Sequence, residues 1–132
     1  MPIERKSFML GPISPAAPGS LYQQIVDGLK REISEGRLAA GSPLPSFRVL
    51  AEDLLVSVIT VRRAYEELER EGIIYRRQGL GTFVADQGLD RSRAAKLNTA
   101  RDLIRQAARE SAEAGLTPSE TLELARHLIQ GT

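Results

Sequence analysis

Two serines eleven residues apart, Ser46 and Ser57, constrain the fold of this chain more than any other feature. Each stands directly before a run with helical apolar spacing, and serine is a favoured N-cap because its hydroxyl satisfies an otherwise unpaired amide of the first turn. The first run is short, from Phe47 to Leu54, and only Leu55-Val56 separates it from the second cap. In the second run Val61, Ala64, Tyr65 and Leu68 recur at helical spacing and make one buried face, while Ile59, Thr60, Arg62 and Arg63 lie opposite. Two helices joined by so tight a turn predict a helix-turn-helix, with the second as the recognition helix.

Charge along the second helix points the same way. From Ser57 to Tyr65 it carries Arg62 and Arg63 and no acid; from Glu66 to Glu71 it carries four glutamates against Arg70 alone. A helix that enters the major groove of DNA by its N-terminal end needs that polarity, because carboxylates are repelled by phosphate. The rival reading is a solvated amphipathic helix whose acids happen to cluster.

The segment that follows strengthens the first reading. After Gly72 the periodicity changes: Ile73 to Arg77 favours strand, Gln78-Gly79-Leu80-Gly81 is turn chemistry, and Thr82-Phe83-Val84 favours strand again. A glycine-tipped β-hairpin directly behind a recognition helix is a wing, and the amides at Gly79 and Gly81 can approach a phosphate closely. The same Gly-x-Gly is no nucleotide fingerprint, since no helix opens behind it and no Lys-Ser/Thr follows.

Upstream, Ser20 begins a helix whose stripe is Tyr22, Ile25, Val26, Leu29 and Ile33, with Gly36 at its C-terminal end. Residues 37–45, with two prolines and Gly41, form a connector with room for a short central strand. Residues 1–19 carry four prolines and two glycines, which predicts an extended N-terminal arm; Phe8, Met9 and Leu10 could tack it to the body or to a second subunit.

Downstream, Asp86-Gln87-Gly88 is expected to be a linker, with helix resuming at Leu89 or Arg91. Leu97, Ala100, Ile104, Ala107, Ser111 and Ala114 then alternate at spacings of three and four, a heptad-like seam of mostly small residues. Gly115 stops it. Thr117-Pro118-Ser119-Glu120 is a capping box with proline at the first helical position, and Leu122, Ala125, Leu128 and Ile129 stripe the last helix. A helical hairpin of this size buries too little by itself, so a second chain is expected to cover it.

The expected fold is thus mainly α with a small β-hairpin: a winged helix-turn-helix over 20–86, followed by an α-helical dimerisation tail over 89–132. The chain has no cysteine, which excludes disulfides and thiolate metal sites, and one histidine, His127, which cannot make a zinc site alone. No cofactor motif is present. No apolar run reaches membrane-span length and no signal-peptide core follows Met1, which predicts a cytoplasmic protein without a membrane role. The net charge of +1 makes the chain no polycation, so any nucleic-acid binding must come from local placement of its arginines. Neither a histidine beside a serine motif nor carboxylates paired in apolar runs suggest an enzyme.

Taken in order, Leu21-Tyr22-Gln23-Gln24-Ile25, Leu44-Pro45-Ser46-x-Arg48-x-Leu50-Ala51, Val56-Ser57-x-x-Thr60-Val61-Arg62-Arg63-Ala64, Leu68-x-x-x-Gly72-Ile73-Ile74 and Gly79-x-Gly81-Thr82-Phe83-Val84 resemble the GntR family of bacterial transcription regulators. The resemblance runs from about Leu21 to Ala85, and the short two-helix tail is similar to that of the YtrA-type branch. It implies a homodimeric winged-helix repressor of an operator in double-stranded DNA, often encoded beside ABC transporter genes, with the effector unspecified. It also implies that Arg48 reaches DNA, that Ser57, Thr60 and Arg62 are polar contacts at the start of the recognition helix, and that Gln78 and Gly79 form the wing tip.

Family members often carry arginine and threonine where this chain has Val58 and Ile59. A guanine-reading arginine contact, worth about 1–3 kcal/mol of discrimination, is therefore absent at position 58. Two readings follow: Ile59 and Val58 pack on thymine methyl groups, or Val58 turns into the core beside Val61 and Tyr65. The expected DNA-contacting set is Ser46, Arg48, Ser57, Val58, Ile59, Thr60, Arg62, Arg63, Arg77, Gln78, Gly79 and Gly81. The expected dimerisation set is Leu97, Ala100, Ile104, Ala107, Leu122, Ala125, Leu128 and Ile129. A winged helix serving only protein contacts, and a direct small-molecule sensor, stand as rival functions.

Overall fold

A computed structural model describes residues 13–14 and 20–131. Apart from Ile13 and Ser14, the expected N-terminal arm, including Phe8, Met9 and Leu10, lies outside the described residues. The chain divides into two compact units at Ala95 and Lys96.

In the first unit, helix α1 (Leu21–Ser34) is followed by strand β1 (Pro43–Leu44), α2 (Phe47–Leu54), α3 (Val58–Arg70), β2 (Ile74–Arg77) and β3 (Gly81–Val84). The expected caps form: the Ser20, Ser46 and Ser57 hydroxyls accept from the amides of Gln23, Val49 and Thr60. Between α2 and α3 the chain reverses through Leu55, a non-glycine residue in the left-handed region at φ 59° and ψ 45°.

The expected hairpin of β2 and β3 forms, and β1 joins it to make a three-stranded sheet. Its order is β1-β3-β2, all antiparallel, with Leu44 opposite Thr82 and Tyr75 opposite Phe83. The added strand comes from the end of the connector, and its proline is tolerated because β1 is an edge strand.

Ile25, Leu29 and Ile33 of α1, Leu50 of α2, Val61, Tyr65 and Leu68 of α3, and Ile73, Ile74 and Val84 around the sheet form one core, aliphatic but for Tyr65. These positions are the apolar stripes that the sequence spacing marks out. Two ion pairs brace the surround: Lys30 of α1 meets Glu71 at 2.9 Å, and Glu32, only 3% exposed, is held by both Nε and Nη2 of Arg37 at 2.9 Å. A buried carboxylate is tolerated when it is paired in this two-pronged way.

Helix α4 (Gly88–Glu113) begins at Gly88, so Gly88 belongs to the helix and not to a linker. The reason is steric. A Cβ at Gly88 would lie 2.8 Å from the Ile73 carbonyl oxygen and 2.9 Å from Val84 Cγ1. Only glycine lets the helix start this close to the sheet. The first turns of α4 also close off the other helices: Arg93 Nε donates to the Ser34 carbonyl at 2.9 Å and Arg91 Nη1 to the Glu71 carbonyl at 3.3 Å. Cations at helix C-termini satisfy carbonyls that lack an intrahelical partner. Nearby, Ser92 is fully buried and its hydroxyl has no hydrogen-bond partner among the described residues.

The second unit holds the rest of α4 and helix α5 (Pro118–Gln130). The capping box forms as expected, with Glu120 and Thr117 bonding reciprocally at 2.9 and 3.1 Å. No residue of this unit is buried among those described.

Candidate nucleic-acid interface

The two capping serines set the geometry of the polar surface. Ser46 accepts from the Val49 amide at 3.2 Å, which fixes the start of α2 and leaves Arg48 exposed on its first turn. Ser57 accepts from the Thr60 amide at 3.1 Å, and its hydroxyl also lies 2.9 Å from Thr60 Oγ1. Both hydroxyls therefore define the N-terminal turn of α3 before any ligand arrives.

That turn presents apolar side chains. Ile59 is 73% exposed and Val58 38% exposed, so Val58 does not enter the core beside Val61 and Tyr65. The helical phase accounts for this: Val61, Ala64, Tyr65 and Leu68 already fill the buried stripe, and position 58 falls at its margin.

The two arginines of α3 part company. Arg62 lies over the ring of Phe47 at 5.7 Å, on the side of α2 and the wing. Arg63 stacks on Tyr22 of α1, its guanidinium carbon 3.9 Å from the ring centroid, and shares a small cleft with Glu66, Glu67 and Arg70. The structure thus brings Arg62 to the wing side and sends Arg63 to the α1 side.

Phe47 is the feature that sequence reasoning missed. It is partly buried, packs edge-on against Tyr65 at 5.2 Å, and receives Arg76 of β2 at 5.4 Å as well as Arg62. Arg76 also reaches Glu69 at 3.7 Å. Beneath, the Tyr65 hydroxyl donates to the Pro45 carbonyl at 2.8 Å, and burial pushes its phenol pKa up. The one available signal was an aromatic in a short, otherwise mixed helix start.

Between the beginning of α2 and the wing runs a groove of about 510 Å³. Pro45, Ser46 and Phe47 form one wall, and Arg77, Gln78 and Gly79 form the other. Gly79 and Gly81 both have positive φ, which makes the tight wing turn, and Leu80 between them is 67% exposed. Ser46, Arg77, Gln78, Gly79 and Gly81 are therefore brought to this groove.

The second unit has its own candidate surface. Leu97, Ile104, Leu122, Leu128 and Ile129 are all more than half exposed, with Ala100 and Ala125 half-buried and Ala107 exposed. Leu103 and Leu124 add to the exposed apolar area beyond the residues expected from the heptad spacing.

Among the described residues there is no cluster able to hold a metal ion, and no helix is long and apolar enough to cross a membrane.

Comparison with known proteins identifies the family. The model of the gntR family of bacterial regulatory proteins matches residues 21–84. The HTH-type transcriptional repressor NagR of Bacillus subtilis is 40% identical over 61% of the chain, which spans only 33% of NagR. The HTH-type transcriptional repressor YtrA of the same organism is 33% identical over 71% of the chain and 72% of YtrA. Among solved structures, a GntR family transcriptional regulator from Listeria monocytogenes superposes with a TM-score of 0.74 at 30% identity, over 86% of this chain and 96% of that one. The DNA-binding domain of AraR in complex with its operator ORR3 matches with a TM-score of 0.50 at 31% identity, over 57% of this chain and 90% of that one. The likeness to YtrA covers most of that protein's length, and the chain belongs to the GntR family of bacterial DNA-binding transcription regulators.

Proposed function

We propose that the chain is a homodimeric, cytoplasmic transcriptional repressor that binds an inverted-repeat operator and blocks polymerase there. The observation that carries the dimer is the second unit, in which no described residue is buried while leucines and isoleucines line both helices. Isolated helices that bury nothing are marginal in water, and a two-fold partner covers such a face with the same residues on both sides.

Each recognition helix α3 enters a major groove by its N-terminal turn. Ile59 and Val58 meet thymine methyl groups, Arg48 and Arg62 meet bases or phosphates, and the wing follows the backbone with Arg77, Gln78 and the glycine amides. The four glutamates at the far end of α3 then stay clear of phosphate. A half-site rich in A·T under the first turn of α3 follows from the exposed aliphatic pair. The YtrA-type branch that the chain resembles is often encoded beside ABC transporter genes, and such an operon is the target we propose.

Footprinting on the DNA upstream of the chain's own gene, at two salt concentrations, tests this reading. A protected inverted repeat that weakens as salt rises supports it. Equal affinity for every duplex, or a monomer by sedimentation at the concentrations that protect DNA, refutes it.

A further inference from the structure

We propose that Phe47 is a positioning residue for DNA contact: its ring holds the guanidinium groups of Arg62, from α3, and Arg76, from the wing, against one common surface. This rests on the DNA-binding reading above and deepens it.

The observations form a chain from the core outward. Tyr65 is buried and anchored through its hydroxyl to the Pro45 carbonyl, so it cannot drift. Phe47 packs edge-on against it at 5.2 Å with an interplanar angle of 74°, which fixes the orientation of the outer ring. Arg62 and Arg76 then lie 5.7 and 5.4 Å from the centroid of that ring, both within the range of cation–π attraction.

Two like charges gathered beside one aromatic would otherwise separate, because they repel. Without the ring, Arg76 keeps Glu69 as a partner and Arg62 faces solvent. With it, a cation from the recognition helix and one from the wing are each held at the same ring before DNA binds. Less side-chain freedom is then lost on binding than for two unrestrained arginines.

The sequence separation explains why the cluster is invisible along the chain. Phe47, Arg62 and Arg76 come from α2, α3 and β2, and only the packing around Tyr65 assembles them.

The test uses the full-length protein and a duplex recovered by wild-type selection from a random-sequence pool, with affinities measured at low salt. Phe47→Leu keeps an apolar side chain but removes the π face, and about tenfold weaker binding is expected, in the range of two partly desolvated cation–π contacts. Phe47→Tyr restores the π face and wild-type affinity. In an Arg62→Gln or an Arg76→Gln background the loss from Phe47→Leu shrinks to about threefold or less, because one of the two cations it positions is gone. An undiminished tenfold loss in both backgrounds, or no loss in the wild-type background, overturns the role of Phe47 while leaving DNA binding intact. Failure of the wild type to enrich any duplex overturns the DNA-binding reading itself, and this inference with it.

Discussion

The hydroxyl of Tyr65 donates to the carbonyl of Pro45 at 2.8 Å and ties the recognition helix to the residue that precedes the cap of α2. Tyr65→Phe removes this bond and leaves the Pro45 carbonyl without that donor. A loss of about 1–2 kcal/mol in unfolding free energy is expected, measured by urea titration. The same residue has a pH signature. Burial raises the phenol pKa in the folded chain above its ordinary value of about 10, so its contribution is fully present below pH 10 and is lost as pH rises towards the folded value. Wild type should therefore lose more stability than Tyr65→Phe between pH 9 and about pH 11. Parallel curves for the two proteins would show that the phenol is not the group responsible.

Gly88→Ala should be costly although alanine is the better helix former. The new methyl group would sit 2.8 Å from the Ile73 carbonyl oxygen, which is itself engaged by the Ala85 amide at 2.9 Å. The hydrogen-bonded Ile73 carbonyl on one side and the buried Val84 side chain on the other give little room to relax, and overpacking of this kind costs about 1–3 kcal/mol. An unchanged melting midpoint would mean that the start of α4 shifts freely.

Leu55 makes the opposite case. It is 90% exposed and occupies the left-handed region, so replacing it loses no packing and relieves backbone strain of roughly 1–2 kcal/mol. Leu55→Gly should raise stability by about 1 kcal/mol after the greater chain entropy of glycine in the unfolded state is set against that relief. A calorimetric midpoint at or below that of the wild type would contradict this.

Much of the first unit was legible in the sequence because it is written locally. Serine caps, helical stripes and the glycine turn of the wing each depend on residues within a few positions of one another, and Ser46, Ser57 and the α3 stripe appear where their spacing puts them. What was not legible depends on distant residues meeting. A short strand was expected at the centre of the connector; that it forms at Pro43-Leu44 instead depends on Phe83 and Thr82 being there to pair with it. Gly88 looks like a linker until the Ile73 carbonyl is placed against it. Arg62 and Arg63 are neighbours in sequence, yet a helix turns them by about 100° per residue, and the aromatic rings of Phe47 and Tyr22 draw them to different flanks.

The two proposed surfaces can be separated by mutation. Arg48 is exposed on the first turn of α2, and Arg48→Ala should weaken operator binding by about 1–3 kcal/mol if it contacts a base, with no change in sedimentation. Ile104 is 68% exposed on α4, and Ile104→Glu should produce monomers whose operator affinity falls because the second half-site is lost. Dimeric Ile104→Glu protein would move the subunit contact elsewhere.

The stacked pair on the wing has a spectroscopic consequence. Tyr75 and Phe83 lie opposite each other on β2 and β3 with ring centroids 5.7 Å apart, and the chain contains no tryptophan. Of its three tyrosines, Tyr22 lies under Arg63, Tyr65 is buried in the core and Tyr75 stands on the wing. The protein's weak intrinsic emission is thus divided among three sites with different neighbours. Replacing Tyr22 and Tyr65 with phenylalanine would leave Tyr75 as the one tyrosine, whose emission, excited above the phenylalanine band, reports when the wing is touched.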